Sequence, residues 1–310
     1  MAETTAIQWC DATFNPWIGC TRVSPGCQHC YAESFARRYG KAEWGPTADR
    51  VRTSAAYWRK PLAWNAKAER EGRRPKVFCA SLADVFEDNP QVAPWREELF
   101  HLIAATPYLD WLLLTKRPEN VEPALRAILL PGARLNALDL VDNNYFNNIW
   151  WGTSVENQEQ ADKRIPALAA IPAWTKFLSC EPLLGPLDLT PWLGSPEWKL
   201  NERGLRYRQG PLVEWVIVGG ESGPQARPMH EDWARSLRDQ CQAAEVPFFF
   251  KQWGQWLPAS QRPDNWYNSG DLMLAADKQT PGRFIRLASK HDAGRLLDGR
   301  EWNQMPEGAA

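Results

Sequence analysis

The chain has 310 residues, 44% of them hydrophobic, enough for one large domain or a domain with additions. No apolar run reaches the ~18 residues of a membrane helix, and Met1 to Gln8 lack the basic and apolar regions of a signal peptide, so we expect a cytoplasmic protein without membrane association. The net charge of −1 counts against a large polyanion footprint, but residues 1–76 carry 13 Lys/Arg against 7 Asp/Glu and form a basic part.

Three cysteines stand close together in this basic part. Cys20, Cys27 and Cys30 fall within eleven residues in the spacing Cys-x6-Cys-x2-Cys, and Pro25 and Gly26 predict a turn before the second cysteine. In a cytoplasmic chain, where thiols stay reduced, such a spacing indicates a metal or cluster site rather than disulfides. Three thiolates from one loop would leave one iron of an iron–sulfur cluster open, and that open position is where chemistry can occur.

Short apolar runs alternate with helical patterns along the rest of the chain. Strands are predicted near 13–18 and over 76–81, 110–115, 149–155, 175–180, 215–218 and 247–251. Helices are predicted over 32–39, 61–72, 94–105, 118–129, 158–169 and 231–244, with an irregular insertion at 131–148 and a long connection at 182–212. This alternation indicates an α/β fold with a parallel sheet, either an incomplete (β/α) TIM-type barrel or, as the alternative, a flat doubly wound sheet.

The C-terminal residues 255–310 lack this alternation of apolar runs and helical patterns. They carry turn signals at Asn268–Gly270 and Pro281–Gly282 and one strand-like run at Arg283–Leu287. We therefore predict a barrel over residues 1–254 followed by a small β-containing extension or cap over 255–310.

Polar residues follow the predicted strands at their carboxyl ends, where parallel α/β folds bind ligands. Any one of them could instead cap a helix or form a salt bridge, but together with the cysteine loop they predict one cofactor site at that rim. The glycines among them would let the backbone approach a cofactor closely. The predicted cofactor-binding residues are Ser81, Lys116, Ser154, Glu181, Gly219, Gly220, Glu221 and Lys251.

The other cysteines and the tryptophans have simpler roles in this interpretation. Cys79, Cys180 and Cys241 lie in apolar or helical segments and are expected to be buried small hydrophobic residues. Cys10 is a possible fourth ligand. Most of the 18 Trp should be core residues, while a few near the site could stack on a base.

The run from Gln8 to Glu33 resembles the signature of a phage- and mobile-element-associated family of three-cysteine proteins of unknown function. The likeness extends to the run Gly294–Trp302. That family is similar to radical S-adenosyl-L-methionine (SAM) enzymes and, distantly, to spore photoproduct lyase. The usual spacing in radical SAM enzymes is Cys-x3-Cys-x2-Cys, so the first gap is three residues longer here, and His29 replaces the usual aromatic residue.

The resemblance implies a barrel of the radical SAM kind with a cluster loop at 19–31. Cys20, Cys27 and Cys30 would hold a 4Fe–4S cluster, and SAM bound at the open iron would be cleaved to a 5′-deoxyadenosyl radical that abstracts hydrogen from a substrate. The reductant would be a one-electron donor such as flavodoxin or ferredoxin. Together with the basic N-terminal part, the likeness to the lyase favours DNA, RNA or a nucleotide as the substrate of a repair or modification reaction.

Particular roles follow from residue type and position. Glu181 or Glu221 could accept hydrogen bonds from the SAM ammonium or ribose, and Lys116 or Lys251 could neutralise its carboxylate. The basic surface could equally be a set of solvated helix faces. The candidate phosphate contacts are Arg37, Arg38, Arg50, Arg52, Arg59, Arg73 and Arg74.

Two further functions stay open on sequence grounds. One is a non-catalytic zinc or iron–sulfur structural module in a nucleic-acid-binding protein, which requires a nearby fourth ligand and no affinity for SAM. The other is a barrel enzyme of another class in which the three cysteines are incidental.

Overall fold

The structure is a computed structural model that divides into two compact units. The first unit comprises Met1–Thr153 and Pro166–Lys176, and the second comprises Ser154–Ile165 and Phe177–Pro306. The structure describes residues 5–129, 136–142, 145–173, 175–194, 197–200, 206–209, 213–262, 272–275, 283–287 and 289–306.

Helices and strands alternate along much of the described chain. The helices are α1 (Tyr31–Arg38), α2 (Ala55–Trp58), α3 (Lys60–Glu71), α4 (Ala93–Ala104), α5 (Val121–Arg126), α6 (Ala137–Asp142), α7 (Gln158–Ala169), α8 (Glu231–Ala243) and α9 (Lys290–Ala293). The strands are β1 (Ala12–Thr13), β2 (Trp17–Ile18), β3 (Val51–Arg52), β4 (Lys76–Cys79), β5 (Asp110–Thr115), β6 (Ile149–Ser154), β7 (Thr175–Cys180), β8 (Glu197–Leu200), β9 (Arg206–Gln209), β10 (Trp215–Gly219), β11 (Phe248–Gln252), β12 (Trp256–Pro258), β13 (Leu272–Ala275), β14 (Arg283–Arg286), β15 (Leu296–Leu297) and β16 (Arg300–Glu301).

In the first unit, β1, β4, β5 and β6 pair side by side and all in parallel. The central strand β5 is almost entirely buried, with Trp111 and Leu112 inaccessible to solvent. Such continuously apolar strands are expected in a parallel sheet, because helices and loops cover both faces. Outside this sheet, β2 pairs antiparallel with β3, which brings the start of the cysteine loop next to Val51–Arg52.

In the second unit, β7, β10 and β11 pair in parallel, with Phe177–Cys180 of β7 in register with β10. The strands β12, β14 and β13 form a separate antiparallel sheet within residues 255–310, and the separateness of this predicted extension stays a prediction. Asp298 and Gly299 join β15 to β16 with φ angles of 53° and 75°. Positive φ at both turn residues is the geometry that favours an Asp-Gly hairpin.

The fold class agrees with the sequence prediction at the level of a mixed α/β protein. Across the described residues, four strands pair in parallel in the first unit and three in the second, and these seven are one fewer than in a complete (β/α) barrel. This number is consistent with an incomplete barrel. No helix in the described ranges combines the length and the apolar character needed to cross a bilayer.

Two connections contain more structure than expected. The insertion predicted as irregular at 131–148 contains α6, whose Leu138 and Val141 are buried. The predicted connection at 182–212 contains the antiparallel pair β8–β9. The helix predicted over 118–129 ends earlier, as a 3₁₀ turn followed by α5. The turn signals predicted at Asn268–Gly270 and Pro281–Gly282 lie outside the described residues.

Tryptophan supplies much of the core, as predicted. Phe14 packs edge-on against Trp58 and Trp111, with ring centroids 5.5 and 5.6 Å apart, in the manner that aromatic rings prefer. Cys79, Cys180 and Cys241 are fully buried, which confirms their assignment as small core residues. The buried tryptophans are Trp9, Trp17, Trp58, Trp111, Trp150, Trp151, Trp215, Trp253, Trp256 and Trp302.

Candidate functional site

The cysteine loop starts at Gly19, directly after β2. Its N–H donates to the carbonyl oxygen of Leu82 at 3.1 Å, and the carbonyl oxygen of Cys20 accepts from the N–H of Gly45 at 3.1 Å. Gly19 has a φ of 117°, and a Cβ there would lie 2.9 Å from Cδ of Arg50. Glycine is therefore required at this position both by its backbone conformation and by the close approach of Arg50.

Thr21, the residue after Cys20, accepts hydrogen bonds from two buried arginines. The Arg50 side chain has no exposed surface; it pairs with Glu87 at 2.7 Å and donates to Oγ1 of Thr21 at 2.9 Å. Arg117 pairs with Asp84 at 2.8 Å and donates to the carbonyl oxygen of Thr21 at 2.6 Å. Because removing one partner of a buried pair leaves an uncompensated charge, this arrangement resists local change.

Arg117 also reaches the first cysteine of the loop. Its Nη1 lies 3.7 Å from Sγ of Cys20. Burial, reinforced by the negative charge of Asp84, raises the pKa of the Cys20 thiol to about 12, and Arg117 acts in the opposite direction. Cys20 is thus a thiol in the metal-free protein, and a bound metal would deprotonate it.

The other two cysteines flank the start of α1. Pro25–Cys27 form a 3₁₀ turn, in agreement with the predicted turn, and Sγ of Cys27 lies 3.8 Å from Oγ of Ser24. Cys30 is the N-cap residue of α1. Burial raises the pKa of the Cys30 thiol, while hydrogen bonding by the Glu33 backbone and the charge of Lys116 oppose that shift. A helix N-terminus and a nearby lysine are features that stabilise a thiolate.

The donor set fits an iron–sulfur cluster chemically. All three loop cysteines are free; Arg117 contacts Cys20, and the positive charge of Lys116 lowers the pKa of Cys30 against the effect of burial. Positive groups and N–H donors near the sulfurs stabilise an anionic cluster and tune its potential. Within the part of the chain that the structure describes, no three His, Cys, Asp or Glu side chains are grouped so as to hold a metal ion. The ligand assignment therefore stays a prediction.

Two of the predicted cofactor-binding residues lie beside this loop. The Ser81 carbonyl oxygen accepts from the hydroxyl of Tyr31 at 2.7 Å, and its Oγ lies 3.1 Å from Nδ2 of Asn15. The Lys116 N–H donates to Asp84 at 3.0 Å. The first unit thus brings Ser81 and Lys116 together with the loop, at the carboxyl ends of β4 and β5.

A second group of predicted residues meets in the second unit. Nζ of Lys251 lies 2.7 and 2.9 Å from the two carboxylate oxygens of Glu181. Gln252 donates to Glu181 at 3.2 Å, and a Cβ on Gly219 would lie 3.2 Å from Cδ of that glutamate. Burial and the charge of Lys251 lower the pKa of Lys290 on α9. A carboxylate and two ammonium groups therefore lie at the carboxyl ends of β7, β10 and β11.

The remaining predicted residues are engaged within the protein. Glu221 forms a bidentate pair with Arg227, with contacts of 2.6 and 2.8 Å. A Cβ on Gly220 would lie 1.9 Å from the carbonyl oxygen of Trp253, so this glycine allows a close approach of protein backbone. The carbonyl oxygen of Ser154 accepts from Arg164 at 2.7 Å. Their predicted contacts with a cofactor remain untested.

Comparison with known proteins identifies the family. The family model described as "Protein of unknown function (DUF5131)" matches residues 4–306. The chain belongs to this DUF5131 family. No curated protein matches it. Among solved structures, it is similar to a mutant spore photoproduct lyase, with 10% sequence identity and a TM-score of 0.38 over 88% of this chain and 67% of that chain.

Several residues that organise the site in this DUF5131 protein were not among the predicted cofactor-binding residues. The sequence places Asp84 and Arg117 in the polar set at the carboxyl ends of β4 and β5, but it does not predict that they pair and hold the cysteine loop. The sequence gives no comparable signal for the pairing of Arg50 with Glu87, which lie 37 positions apart.

The structure also corrects the set of candidate phosphate contacts. Arg50 is buried and paired with Glu87, because the cysteine loop folds over it, and so it cannot contact a phosphate. Arg52 pairs with Glu98 and lies over the ring of Trp58. Arg73 and Arg74 also have acidic partners: Glu71 and Asp11 for the first, and the buried Asp110 for the second.

Proposed function

We propose that the protein is a radical SAM enzyme in which Cys20, Cys27 and Cys30 hold a 4Fe–4S cluster. The observation that carries the proposal is one loop with three free thiols, of which the first contacts Arg117 and the third has its pKa lowered by the charge of Lys116 against the effect of burial. Three thiolates leave one iron available to a further ligand, and nearby cations favour the thiolate forms that bind metal.

The cofactors and the chain have separate tasks in this proposal. When bound, the cluster and SAM together supply a 5′-deoxyadenosyl radical for hydrogen abstraction, while the protein binds and orients both and excludes water. Arg117 and Arg50 fix the backbone of the loop through Thr21, and Gly19 allows the loop to close over Arg50. Lys116 would attract the carboxylate of SAM.

The proposed cofactor contacts also include polar residues of the second unit. Glu181 would accept hydrogen bonds from the ammonium or ribose groups of SAM, and Lys251 would offer a second positive charge. Glu181 and Lys251 form an ion pair in the structure. Binding of SAM would replace this ion pair with contacts from each side chain to SAM. Ser81, Ser154, Gly219, Gly220 and Glu221 complete the proposed cofactor-binding set.

The substrate in this proposal is a nucleic acid or a nucleotide, which the enzyme repairs or modifies in the cytoplasm. The excess of Lys/Arg over Asp/Glu in residues 1–76 supports a polyanionic substrate. A one-electron donor such as flavodoxin or ferredoxin would reduce the cluster.

The cluster is tested by replacing each loop cysteine with alanine and reconstituting the protein with iron and sulfide without oxygen. Cys20→Ala, Cys27→Ala and Cys30→Ala should each lose the cluster and its broad visible absorption, because each removes one of three thiolates. Cys241→Ala is the control, since Cys241 is a fully buried core cysteine outside the loop, and it should keep a full cluster. A full cluster in Cys27→Ala would contradict the ligand assignment.

Enzyme activity is tested with the reduced, reconstituted protein and SAM. We expect formation of 5′-deoxyadenosine and methionine, even slowly and without substrate. An intact four-iron cluster that yields neither product would indicate a structural cluster. A colourless protein purified with zinc would indicate a structural zinc module instead.

A further inference from the structure

Helix α1 begins directly after Cys30 and carries three aromatic side chains at a spacing of four residues. Tyr31, Phe35 and the C-cap residue Tyr39 are 55%, 41% and 56% exposed. Residues four apart lie on one face of a helix. The rings of Phe35 and Tyr39 are in contact, with centroids 4.8 Å apart, so they form a continuous aromatic surface.

The opposite face of α1 fixes the helix to the protein. Ala32 and Ala36 are buried in a small core cluster with Ile18 and Leu82. The hydroxyl of Tyr31 donates to the carbonyl oxygen of Ser81 at 2.7 Å. The aromatic face is therefore presented to solvent by a helix whose other side is packed.

The exposed aromatic residues are concentrated on this face of α1. In the portion of the chain with described side chains, five aromatic residues are exposed, and three of them belong to this face of α1. Tyr108 and Tyr145 are the other two, and they lie far apart in sequence. All tryptophans in the same portion are buried or only partly exposed. A contiguous exposed aromatic patch marks an interaction site more often than isolated exposed residues do.

The charges around this face are predominantly positive. The segment Cys20–Lys41 contains four Lys/Arg and one acidic residue, a net charge of +3. The acidic residue, Glu33, has a largely buried carboxylate that pairs with Arg22 at 2.7 Å and Arg37 at 3.0 Å. The guanidinium of Arg38 lies 5.9 Å from the ring centroid of Tyr39. Positive charge is thus interleaved with aromatic rings.

We propose that the α1 platform, formed by Tyr31, Phe35, Arg38 and Tyr39, binds single-stranded nucleic acid. The rings would stack on bases, and the arginines would contact phosphates, which is how proteins bind single strands with little sequence preference. A duplex hides the faces of its bases, so stacking on these rings selects a single strand. The net charge of +3 over Cys20–Lys41 favours a polyanionic partner.

Only the identification of the bound strand as substrate rests on the proposed radical SAM function. The platform itself requires no cofactor, because α1 and its packing are present without one. Since Cys30 caps α1, a strand bound on the platform would lie next to a candidate cluster ligand.

The test measures binding of a labelled oligothymidylate to the full-length protein by fluorescence anisotropy across a salt series. Alanine substitution of a stacking residue lowers affinity by about five- to 150-fold, and we expect this loss for Phe35→Ala and for Tyr39→Ala. Arg38→Ala should weaken binding and lower the slope of log affinity against log salt by about one. The control Tyr145→Ala removes an equally exposed ring, 62% accessible, and should bind like the wild type.

The outcomes separate this proposal from the proposed function. Tight binding that depends on Phe35 and Tyr39, in a protein that assembles no iron cluster, would support the platform and contradict the radical SAM function. An intact cluster without oligonucleotide binding at low salt would overturn the platform. Equal losses in Tyr145→Ala, or equal affinity for duplex, would also overturn it. So would concentration-dependent self-association that Phe35→Ala abolishes, since the face would then be a protein interface.

Discussion

Arg117 ties the first cysteine of the loop to the parallel sheet of the first unit. Its guanidinium contacts the carboxylate of Asp84, the carbonyl oxygen of Thr21 and the sulfur of Cys20. The ion pair with Asp84 raises the pKa of Arg117 further above its usual range, despite the opposing effect of burial. Asp84 in turn accepts from the hydroxyl of Thr115 at 2.7 Å. A single side chain therefore connects the cysteine loop to the strand ends.

Arg117→Ala should lower the free energy of unfolding by about 3–5 kcal/mol, because it leaves the buried carboxylate of Asp84 without its cation. Denaturant unfolding of the metal-free protein measures this loss. Arg126→Ala is the matched control, since Arg126 forms an exposed pair with Glu122, and pairs of that kind contribute about 0.3–0.5 kcal/mol. Equal effects of the two substitutions would show that the buried network does not stabilise the loop.

Asp298 lies in the turn between β15 and β16 and also forms ion pairs with two arginines. Hydrogen bonds from Arg235, Gln261 and Arg238 hold the pKa of its carboxyl well below the usual range. A carboxyl with a depressed folded-state pKa stabilises the protein above its unfolded pKa, near 4, and this contribution is lost as the pH falls through the lower folded value. The pairs with both arginines should therefore stabilise the hairpin at neutral pH and weaken in acid.

Asp298→Asn should lower stability at pH 7 by about 1 kcal/mol, a modest value because the side chain is about one-third exposed. Asparagine tolerates a positive φ, so the turn itself should be retained. The difference from the wild type should shrink as the pH falls below about 4. Thermal unfolding of both proteins over this pH range measures it, and a difference that does not change with pH would contradict the charge role.

Single residues show what the sequence predicted of the site and what it did not. The spacing of Cys20, Cys27 and Cys30 located the loop, because cysteine is rare and close spacing is visible in one dimension. Arg50 was assigned to a basic surface, although it is buried against Glu87. Nothing in the local sequence distinguishes a cation with a distant buried partner from a solvated one, because the pairing depends on tertiary structure.

At the level of elements, continuously apolar strands were predicted best. The predicted bounds of β5 and β7 agree with the structure, because these strands are buried on both faces and have charged or polar residues at their ends. Helix α6 was missed because six residues contain less than two turns of periodicity, even though Leu138 and Val141 lie on a buried face. The pair β8–β9 was missed in a segment that local composition marks as a connection.

Helix α1 shows that the sequence also did not predict which face of a helix is exposed. The sequence predicted a helix over 32–39, and Gly40, which follows it, has the positive φ expected after a helix end. It did not predict that Tyr31, Phe35 and Tyr39 stay exposed, because an aromatic stripe at helical spacing is more often packed in a core. Only the packing of Ala32 and Ala36 on the opposite side shows which face is free for a partner.

At the level of the whole molecule, the C-terminal segment covers the edge strand of the parallel sheet of the second unit. Asn303 forms an antiparallel bridge with Phe249 of the edge strand β11. The carbonyl oxygen of Trp302 accepts from the N–H of Phe250 at 2.9 Å, and that of Gln304 accepts from the indole of Trp215 at 2.9 Å. Covering an exposed edge strand in this way prevents pairing with other chains.

Truncation at residue 254 tests both the predicted domain boundary and the importance of these contacts. Truncation after residue 254 should lower the free energy of unfolding by about 5 kcal/mol or more, because it removes the buried Trp302 and leaves N–H groups of β11 unpaired. We therefore expect the truncated chain to aggregate. The loss is comparable to the total stability of an ordinary domain. A chain that ends at Pro306 keeps all the described contacts to β11 and should unfold like the full-length protein. Soluble yield and thermal unfolding of both truncations decide the question. A stable, soluble chain ending at 254 would show instead that residues 255–310 form a separate domain.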